Sequence, residues 1–302
     1  MFVFCSLKRS LTAPSFLSWP SLLFFLSSMQ QALYEMAKGN LGIEAREMLR
    51  NHRELDVNWR NEFTYTTLHT ACRCGSVDVV KVLLQHPLIE VNLQAKNGIT
   101  PFAFACMKGH LSVLKQLLND PRVDTGMANT QGQTPLWNIM RFSCFEALQW
   151  FIASGRDLGD LNKKGTFYYG DYTVMEVASW DETGPMTMLL RRFMANPVQT
   201  RNELRVELGV LEEQTAGLFA LVIFLCDGLL QLMPPALTSA TSATATVRLF
   251  CIAAALPMEL QMLLCHRVFG SWKQNILRND SEAAFKALTG DLTLFAEHNS
   301  GQ

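Results

Sequence analysis

The chain has little charge and no marked excess of either sign. Charged residues make up 18% of its 302 residues, the formal net charge is −1, and hydrophobic residues make up 49%. A protein that binds nucleic acid through its phosphates needs a clear basic excess or a basic stripe. The totals therefore favour no nucleic-acid partner. They allow most of the chain to bury a core, in two domains or one elongated array.

Cysteine is too scarce and too scattered to form a disulfide scaffold. The eight cysteines lie in apolar segments at positions 5, 72, 74, 106, 144, 226, 251 and 265. Disulfide-built domains are smaller and denser in cysteine. We interpret these residues as thiols, mostly buried, in a reducing compartment, and we expect a cytoplasmic location.

Motifs of the common enzyme classes are missing. The sequence contains no G-x-x-x-x-G-K-[ST] phosphate loop, no G-x-S-x-G elbow and no H-E-x-x-H helix. One cluster still raises a question, because "TTLHTACRCG" places His69, Cys72 and Cys74 close together. A zinc site needs about four ligands, and no second Cys/His pair follows at a suitable spacing. We expect no metal, no cofactor and no catalytic residues.

Acidic residues are absent from the first 34 positions. Lys8 and Arg9 precede the apolar run "PSFLSWPSLLFFLSS", as in a secretory signal or an organelle presequence. Pro20 interrupts that run, and no clear cleavage site follows it. Met29 then opens "MQQALYEMAKG", which is typical of a folded domain. We interpret residues 1–28 as a leader, with a targeting signal as the alternative, and place the start of the folded array at residue 29.

Three segments align without gaps at a spacing of 34 residues. They are "TTLHTACRCGSVDVVKVLL" (66–84), "TPFAFACMKGHLSVLKQLL" (100–118) and "TPLWNIMRFSCFEALQWFI" (134–152). Thr66 and Thr100 precede apolar runs of helical period, as helix N-caps do. Pro101 and Pro135 would occupy the first helical position, where a missing N–H costs nothing. The sequence therefore predicts repeated pairs of short helices.

The repeated pattern resembles the ankyrin repeat, in which T-P-L-H-x-A is followed by Gly and by an apolar pair. Weaker units at 32–49 and 172–190 extend the series to five units across residues 29–200. The resemblance implies an all-α solenoid of helix-turn-helix units joined by short hairpin loops. At least three stacked units are needed to bury the apolar stripe of each helix pair.

The resemblance also gives the His/Cys cluster a structural role. His69 matches the histidine of T-x-L-H, which bonds to the threonine and to neighbouring backbone. Its equivalents in the other units are chemically unlike residues: Ala103, Trp137 and Glu176. Cys72 is then expected on the packed side of its helix and Cys74 on the exposed side. An enzyme that uses His69 with one of these thiols is the least favoured hypothesis, and slow alkylation of Cys72 would argue against it.

Ankyrin loop tips and first helices form a concave surface that binds other proteins. The tips predicted here are residues 58–66, 92–100, 128–134 and 162–173. The fourth tip carries an insertion, since Thr134 to Thr173 spans 39 residues rather than 34. Its aromatics either bind a partner or fold back over the end unit. The candidate partner-binding residues are Trp59, Arg60, Phe63, Tyr65, Lys96, Asn97, Tyr168, Tyr169 and Tyr172.

Beyond the repeats the sequence predicts a helical C-terminal extension. Residues 201–233 form an apolar helical segment, read as one helix or two, and residues 234–247 an Ala/Ser/Thr-rich linker. The 17-residue stretch Gly217–Met233 contains Asp227 and is shorter than the roughly 20 residues of a spanning helix, which favours a buried helix over a membrane span.

The last segment, 248–302, is also predicted to be helical. Pro257 should separate two helices. Leu260, Leu263, Leu264 and Val268 form an apolar stripe at helical spacing. Residues 279–288 predict another short helix with Ala284, Phe285 and Leu288 on its apolar face.

A short motif adds an alternative function. The run "LPMEL" at 256–260 resembles the opening of an F-box, the element that docks proteins onto cullin-type ubiquitin ligases. On that interpretation Leu256, Pro257 and Leu260 dock the ligase and the array selects a substrate. The leading expectation is a non-enzymatic scaffold or adaptor with an unidentified protein partner.

Overall fold

The computed structural model describes residues 19–181, 184–226, 253, 256–268, 276 and 280–289. Two compact units divide between Pro197 and Val198. The division lies close to the predicted end of the repeat array at residue 200.

The first unit is built from five pairs of helices. They are α1 (Trp19–Gly39) with α2 (Gly42–Asn51), α3 (Thr67–Cys74) with α4 (Val77–Gln85), α5 (Pro101–Lys108) with α6 (Leu111–Asn119), α7 (Pro135–Arg141) with α8 (Phe145–Ser154), and α9 (Val174–Ala178) with α10 (Pro185–Ala195). The first helices of successive pairs pack side by side in one row, and the second helices in another. The predicted all-α solenoid is confirmed.

Local chemistry explains where these helices begin and end. Thr66, Thr100, Thr134 and Thr173 each accept a hydrogen bond from the backbone N–H three residues later, which satisfies one of the free donors at a helix start. Pro101 and Pro135 follow two of these caps. Helices α3 and α5 end at glycines in the left-handed conformation.

The core of the unit lies between the two helix rows. Its largest fully buried side chains come from both rows, including Leu68, Leu136 and Trp137 from first helices and Leu83, Leu114 and Phe151 from second helices. A fully buried side chain of this size stabilises the fold by about 1.5–3 kcal/mol. Neighbouring helix pairs supply the packing contacts, so the helix pairs are stable as a stack and not individually.

The predicted boundary at residue 29 does not coincide with a structural boundary. Helix α1 begins at Trp19 and runs through Met29 to Gly39. Pro20 lies in the first turn, where proline is tolerated, and residues 21–38 contain neither proline nor glycine. Nothing in the sequence ends the helix at residue 28, so α1 spans the predicted boundary, and the interpretation of residues 1–28 as a leader stays a prediction.

The remaining helices are α11 (Pro197–Glu207), α12 (Val210–Cys226) and α13 (Met258–Val268), and residues 280–289 are also helical. Helices α11 and α12 are separate and meet at 68°. Gly209 lies between them with φ +67°. Within the described residues no single helix has the length and apolar character to cross a membrane; the bent pair α11–α12 meets that criterion only jointly. The predicted linker at 234–247 lies outside the described residues.

Helix α13 packs against α12 through a small apolar cluster. Its buried members are Phe219, Val222, Ala253 and Cys265. Pro257 immediately precedes α13, as predicted. Phe285, from the short helix predicted at 279–288, contacts Phe219 and Phe224 at ring-centroid distances of 6.5 and 5.8 Å.

The predicted apolar stripe of α13 is wrong in part. Leu260 and Val268 are each 47% exposed, whereas Gln261 and Cys265 are buried. Helix α13 presents Cys265 to the cluster with α12. Gln261 lies on this face because it is one helical turn before Cys265, and its Nε2 donates to the Leu256 carbonyl at 2.8 Å.

Candidate functional site

Three loop tips of the repeat array share one turn. In each, the backbone N–H of the fourth turn residue donates to the carbonyl of the first, and that fourth residue has positive φ. Gly98 and Gly132 occupy this position in the second and third tips with φ of +74° and +75°. In the first tip the residue is Thr64 with φ +62°. A β-branched residue is strained there, whereas glycine is not.

Hydrogen bonds connect each tip to the next. Thr64 Oγ1 accepts from the backbone N–H of Lys96 in the second tip. The Asn97 carbonyl accepts from Thr130 N at 3.1 Å in the third tip. The Gln131 carbonyl accepts from Thr166 N at 2.8 Å in the fourth. The four tips therefore form one connected edge of the array.

The insertion makes the fourth tip a true β-hairpin. Strands β1 (Gly165–Phe167) and β2 (Gly170–Tyr172) pair antiparallel, with Gly165 opposite Tyr172. Tyr168 and Tyr169 form the turn and are 80% and 104% exposed.

The aromatics of this hairpin divide into a packed group and an exposed group. Phe167 lies 6.1 Å from Trp137, and Tyr172 lies 5.4 Å from Trp180, measured between ring centroids. These two rings fold back onto the array. Tyr168 and Tyr169 point outward and are accessible to a partner.

A pocket of about 470 Å³ lies where α1, the first tip and α3 meet. Four aromatic side chains line it together with polar and charged groups. The lining residues are Gln31, Tyr34, Lys38, Trp59, Asn61, Glu62, Phe63, Tyr65 and Arg73. Three of the predicted partner-binding residues, Trp59, Phe63 and Tyr65, are thus brought to one place.

Edge-on aromatic contact and a hydrogen bond hold one wall of this pocket. The Tyr34 and Trp59 rings meet at 80° with centroids 6.4 Å apart. Asn61 Nδ2 donates to Tyr34 Oη at 3.1 Å. Phe63 is 60% exposed and lies 6.4 Å from the Tyr65 ring. The pocket therefore has a supported aromatic wall and one exposed aromatic at its rim.

Two cations lie over the rings of the pocket. Lys38 Nζ is 5.1 Å from the Tyr34 ring centroid and 2.7 Å from Glu35 Oε1. The Arg73 guanidinium is 5.8 Å from the Tyr65 centroid. The faces of both aromatic rings attract cations, and here Lys38 and Arg73 of the same chain provide them.

The other predicted residues lie along the edge but not in the pocket. Arg60 is exposed and donates to the Gln94 carbonyl at 3.4 Å. Lys96 and Asn97 are exposed on the second tip. Tyr168, Tyr169 and Tyr172 belong to the fourth tip. In the second unit, Leu256 is half-buried, and Pro257 and Leu260 are exposed at the start of α13.

Sequence reasoning missed Tyr34, Lys38 and Arg73. Tyr34 and Lys38 belong to the weakest repeat match, which gave no reason to pair them with the first tip. Arg73 carried a usable signal, because Arg141 stands at the same position two units later and also covers an aromatic ring, 4.1 Å from the Phe167 centroid.

His69 is a structural residue. Its Nδ1 lies 3.2 Å from Thr66 N and 2.8 Å from Thr66 Oγ1, and its Nε2 lies 3.1 Å from the Ile99 carbonyl of the next unit. Burial lowers the pKa of His69 to about 4, so the ring is neutral near pH 7. Both nitrogens are engaged, as the resemblance implied.

The thiols beside His69 do not form a reactive pair with it. Burial raises the pKa of the Cys72 thiol, which keeps it protonated, while Cys74 is exposed. Across the described residues, no group of three or more His, Cys, Asp or Glu side chains is arranged to hold a metal.

Trp137 makes the same tether between units that His69 makes. Its Nε1–H donates to the Tyr172 carbonyl at 2.9 Å, and Tyr172 immediately precedes the next threonine cap, as Ile99 does. The indole N–H replaces the imidazole N–H across the longer fourth loop. Trp137 therefore joins successive units as His69 does, although the two side chains differ chemically.

Known protein families match the region that contains these features. A model described as ankyrin repeats in many copies matches residues 48–88, and one described as ankyrin repeats in three copies matches residues 86–164. No curated protein matches the chain. Ankyrin repeats bind other proteins and are typically not catalytic. The repeated caps, turns and tethers of residues 48–164 agree with these matches, and this part of the chain consists of ankyrin repeats.

Proposed function

We propose that the protein is a non-enzymatic scaffold or adaptor that binds its partner through the concave surface formed by the loop tips and the first helices. The observation that carries this proposal is the pocket between α1, the first tip and α3, with Phe63 exposed at its rim. Exposed aromatic side chains beside a preformed pocket are typical anchors in protein interfaces.

A second exposed anchor lies along the same edge. Tyr168 and Tyr169 on the hairpin of the fourth tip are the most exposed large hydrophobic side chains in the described residues. Tyrosine is among the residue types enriched in protein interfaces. A partner that reached both ends of the edge would contact all four tips. The proposed location is the cytoplasm, where buried thiols such as Cys72 and Cys106 stay reduced.

The test is affinity purification of tagged full-length protein in three forms: wild type, Phe63→Ala with Tyr169→Ala, and Ile43→Ala. Ile43 is 73% exposed on α2, in the row of second helices, and serves as the matched control. We expect the double variant to lose the proteins retained by wild type and the control to keep them. Equal recovery by all three forms would contradict the proposal.

One observation favours the ligase alternative enough to test it. Met258 and Leu260 of the F-box-like segment are 57% and 47% exposed at the start of α13, beside the exposed Pro257. Apolar side chains there are accessible to a cullin adaptor. If the alternative holds, replacing Pro257 and Leu260 with alanine abolishes co-precipitation of a cullin adaptor while the array still retains its substrate. If no adaptor co-precipitates with wild type, the alternative is excluded.

A further inference from the structure

In the three central helix pairs, the first helices carry a net positive charge, whereas the charges of the second helices balance. First helices α3, α5 and α7 contain three basic residues, Arg73, Lys108 and Arg141, and no acidic residue. Second helices α4, α6 and α8 contain two of each sign: Lys81, Lys115, Asp78 and Glu146. The asymmetry is confined to these three pairs, since over all five pairs each row contains two more basic than acidic residues.

The first three tips extend the basic character of the first helices. They add Arg60 and Lys96 and a single acid, Glu62. Tips and first helices of the three central units therefore contain five basic residues and one acidic residue. A surface with this excess attracts anionic groups and steers their approach.

The basic groups nearest the pocket are not neutralised by the array. Among the described residues Arg60, Arg73 and Lys96 form no ion pair, whereas Lys38 is paired with Glu35. Arg73 lines the pocket. Lys96 lies beside the first tip, because its N–H donates to Thr64. Positive charge without an ion-pair partner thus borders the aromatic wall.

The pocket also selects by size and polarity. Its volume of about 470 Å³ lies within the range of ligand pockets. The rings of Tyr34, Trp59, Phe63 and Tyr65 offer an apolar wall for one or two large side chains. Lys38 and Arg73 already cover two of those rings, which disfavours a cationic occupant.

We infer that the partner is an acidic peptide segment carrying a large apolar side chain, with that side chain in the pocket and its carboxylates against Arg60, Arg73 and Lys96. This inference rests on the proposed function, since it names the chemistry of the partner that the same surface binds. Glu62 at the rim then disfavours a carboxylate on its side and helps to fix the direction of the peptide.

The test is a selection of random peptides displayed on phage against immobilised full-length protein. We expect the enriched peptides to combine a net negative charge with an aromatic or large aliphatic residue. The variant Arg73→Glu with Lys96→Glu should lower their affinity by about tenfold or more, and raising the salt concentration should weaken wild-type binding. The control Arg46→Glu with Lys81→Glu makes the same change in net charge on second helices and should leave binding unchanged.

Each contrary outcome identifies what fails. Enriched peptides that are neutral or basic, yet are lost with Phe63→Ala, overturn the acidic class and leave the binding surface in place. Peptides insensitive to both Phe63→Ala and the charge variant overturn the proposed function as well, as does the absence of any enrichment. Displacement of enriched peptides by a short single-stranded RNA would assign the basic surface to nucleic acid and overturn the inference.

Discussion

At the scale of single residues, the array depends on a few polar groups that join one unit to the next. His69 and Trp137 both donate to a carbonyl just before the following helix cap. The sequence identified His69 as structural because of its place in the repeat. It did not reveal the same role for Trp137, because the match depends on where an indole N–H reaches after the fourth loop has lengthened.

We predict that Trp137→Phe destabilises the protein by about 1–3 kcal/mol. An aromatic ring is kept, but the smaller side chain leaves part of a fully buried site empty and the Tyr172 carbonyl loses its buried donor. The control is Trp150→Phe, since Trp150 is half-buried and its ring face contacts Lys115 Nζ at 3.5 Å, a contact that a phenyl ring can keep. Urea unfolding followed by circular dichroism measures both. Equal losses for the two variants would show that the tether contributes nothing.

The protonation of His69 gives a pH-dependent prediction. Its pKa falls from 6.5 to about 4 on folding, because burial penalises the charged form. Between these values the unfolded chain binds more protons than the folded one. The contribution of neutral His69 to the unfolding free energy is therefore fully present above pH 6.5. It is lost as the pH falls towards 4, by roughly 3 kcal/mol at most.

The measurement is the unfolding free energy as a function of pH for wild type and for His69→Gln. The variant is less stable at neutral pH because it lacks the imidazole tether, but its stability should depend less on pH between 6.5 and 4. Identical slopes in that window would show that His69 does not titrate as the structure implies.

At the scale of elements, the turns are as regular as the helices. The threonine caps and the prolines after them were predictable, since a cap acts through the residues immediately beside it. The β-hairpin of the fourth tip was predicted only as a longer loop. Its two turn residues are Tyr168 and Tyr169 rather than the Asn-Gly or Asp-Gly pairs typical of such turns, and Tyr168 has φ +52°.

The close approach of successive tips predicts a specific cost for side chains there. A Cβ on Gly98 would lie 2.7 Å from the backbone N of Thr130, in addition to the strain of φ +74°. We expect Gly98→Ala to cost about 2–3 kcal/mol and Gly109→Ala about 1 kcal/mol. Gly109 also has positive φ, but its nearest contact is the Cys144 side chain at 3.1 Å, which can rotate. Thermal or urea unfolding compares them, and a larger loss for Gly109→Ala would contradict the account.

At the scale of the whole molecule, the first unit behaves as a stack in which each pair contacts its neighbours. The number of units and their order were readable from the sequence, because the repeat period is a property of the chain. Only part of the pocket could be predicted from the sequence. The aromatics of its tip could be named, but Tyr34 and Lys38 joined them only through the packing of α1 on α3.

The stacked architecture predicts which helices are destabilised by a substitution in the core. Leu114 is fully buried in α6, and Leu114→Ala should cost about 2–5 kcal/mol. Stability in such arrays is a sum of unit and neighbour terms. Hydrogen exchange should therefore increase most in α3 to α8 and less in α9 and α10. A uniform increase across α1 to α10 would indicate an all-or-none unit and contradict the prediction.

The hydrogen bonds that run from tip to tip have a mechanical consequence. Thr64, Asn97 and Gln131 each bond their tip to the following one, so a displacement of one tip disturbs the hydrogen bonds of the next. A force applied to the first tip is carried along the edge to the hairpin at Tyr168 and Tyr169. A ligand that fixed the first tip would therefore also restrict the later tips, which it does not contact.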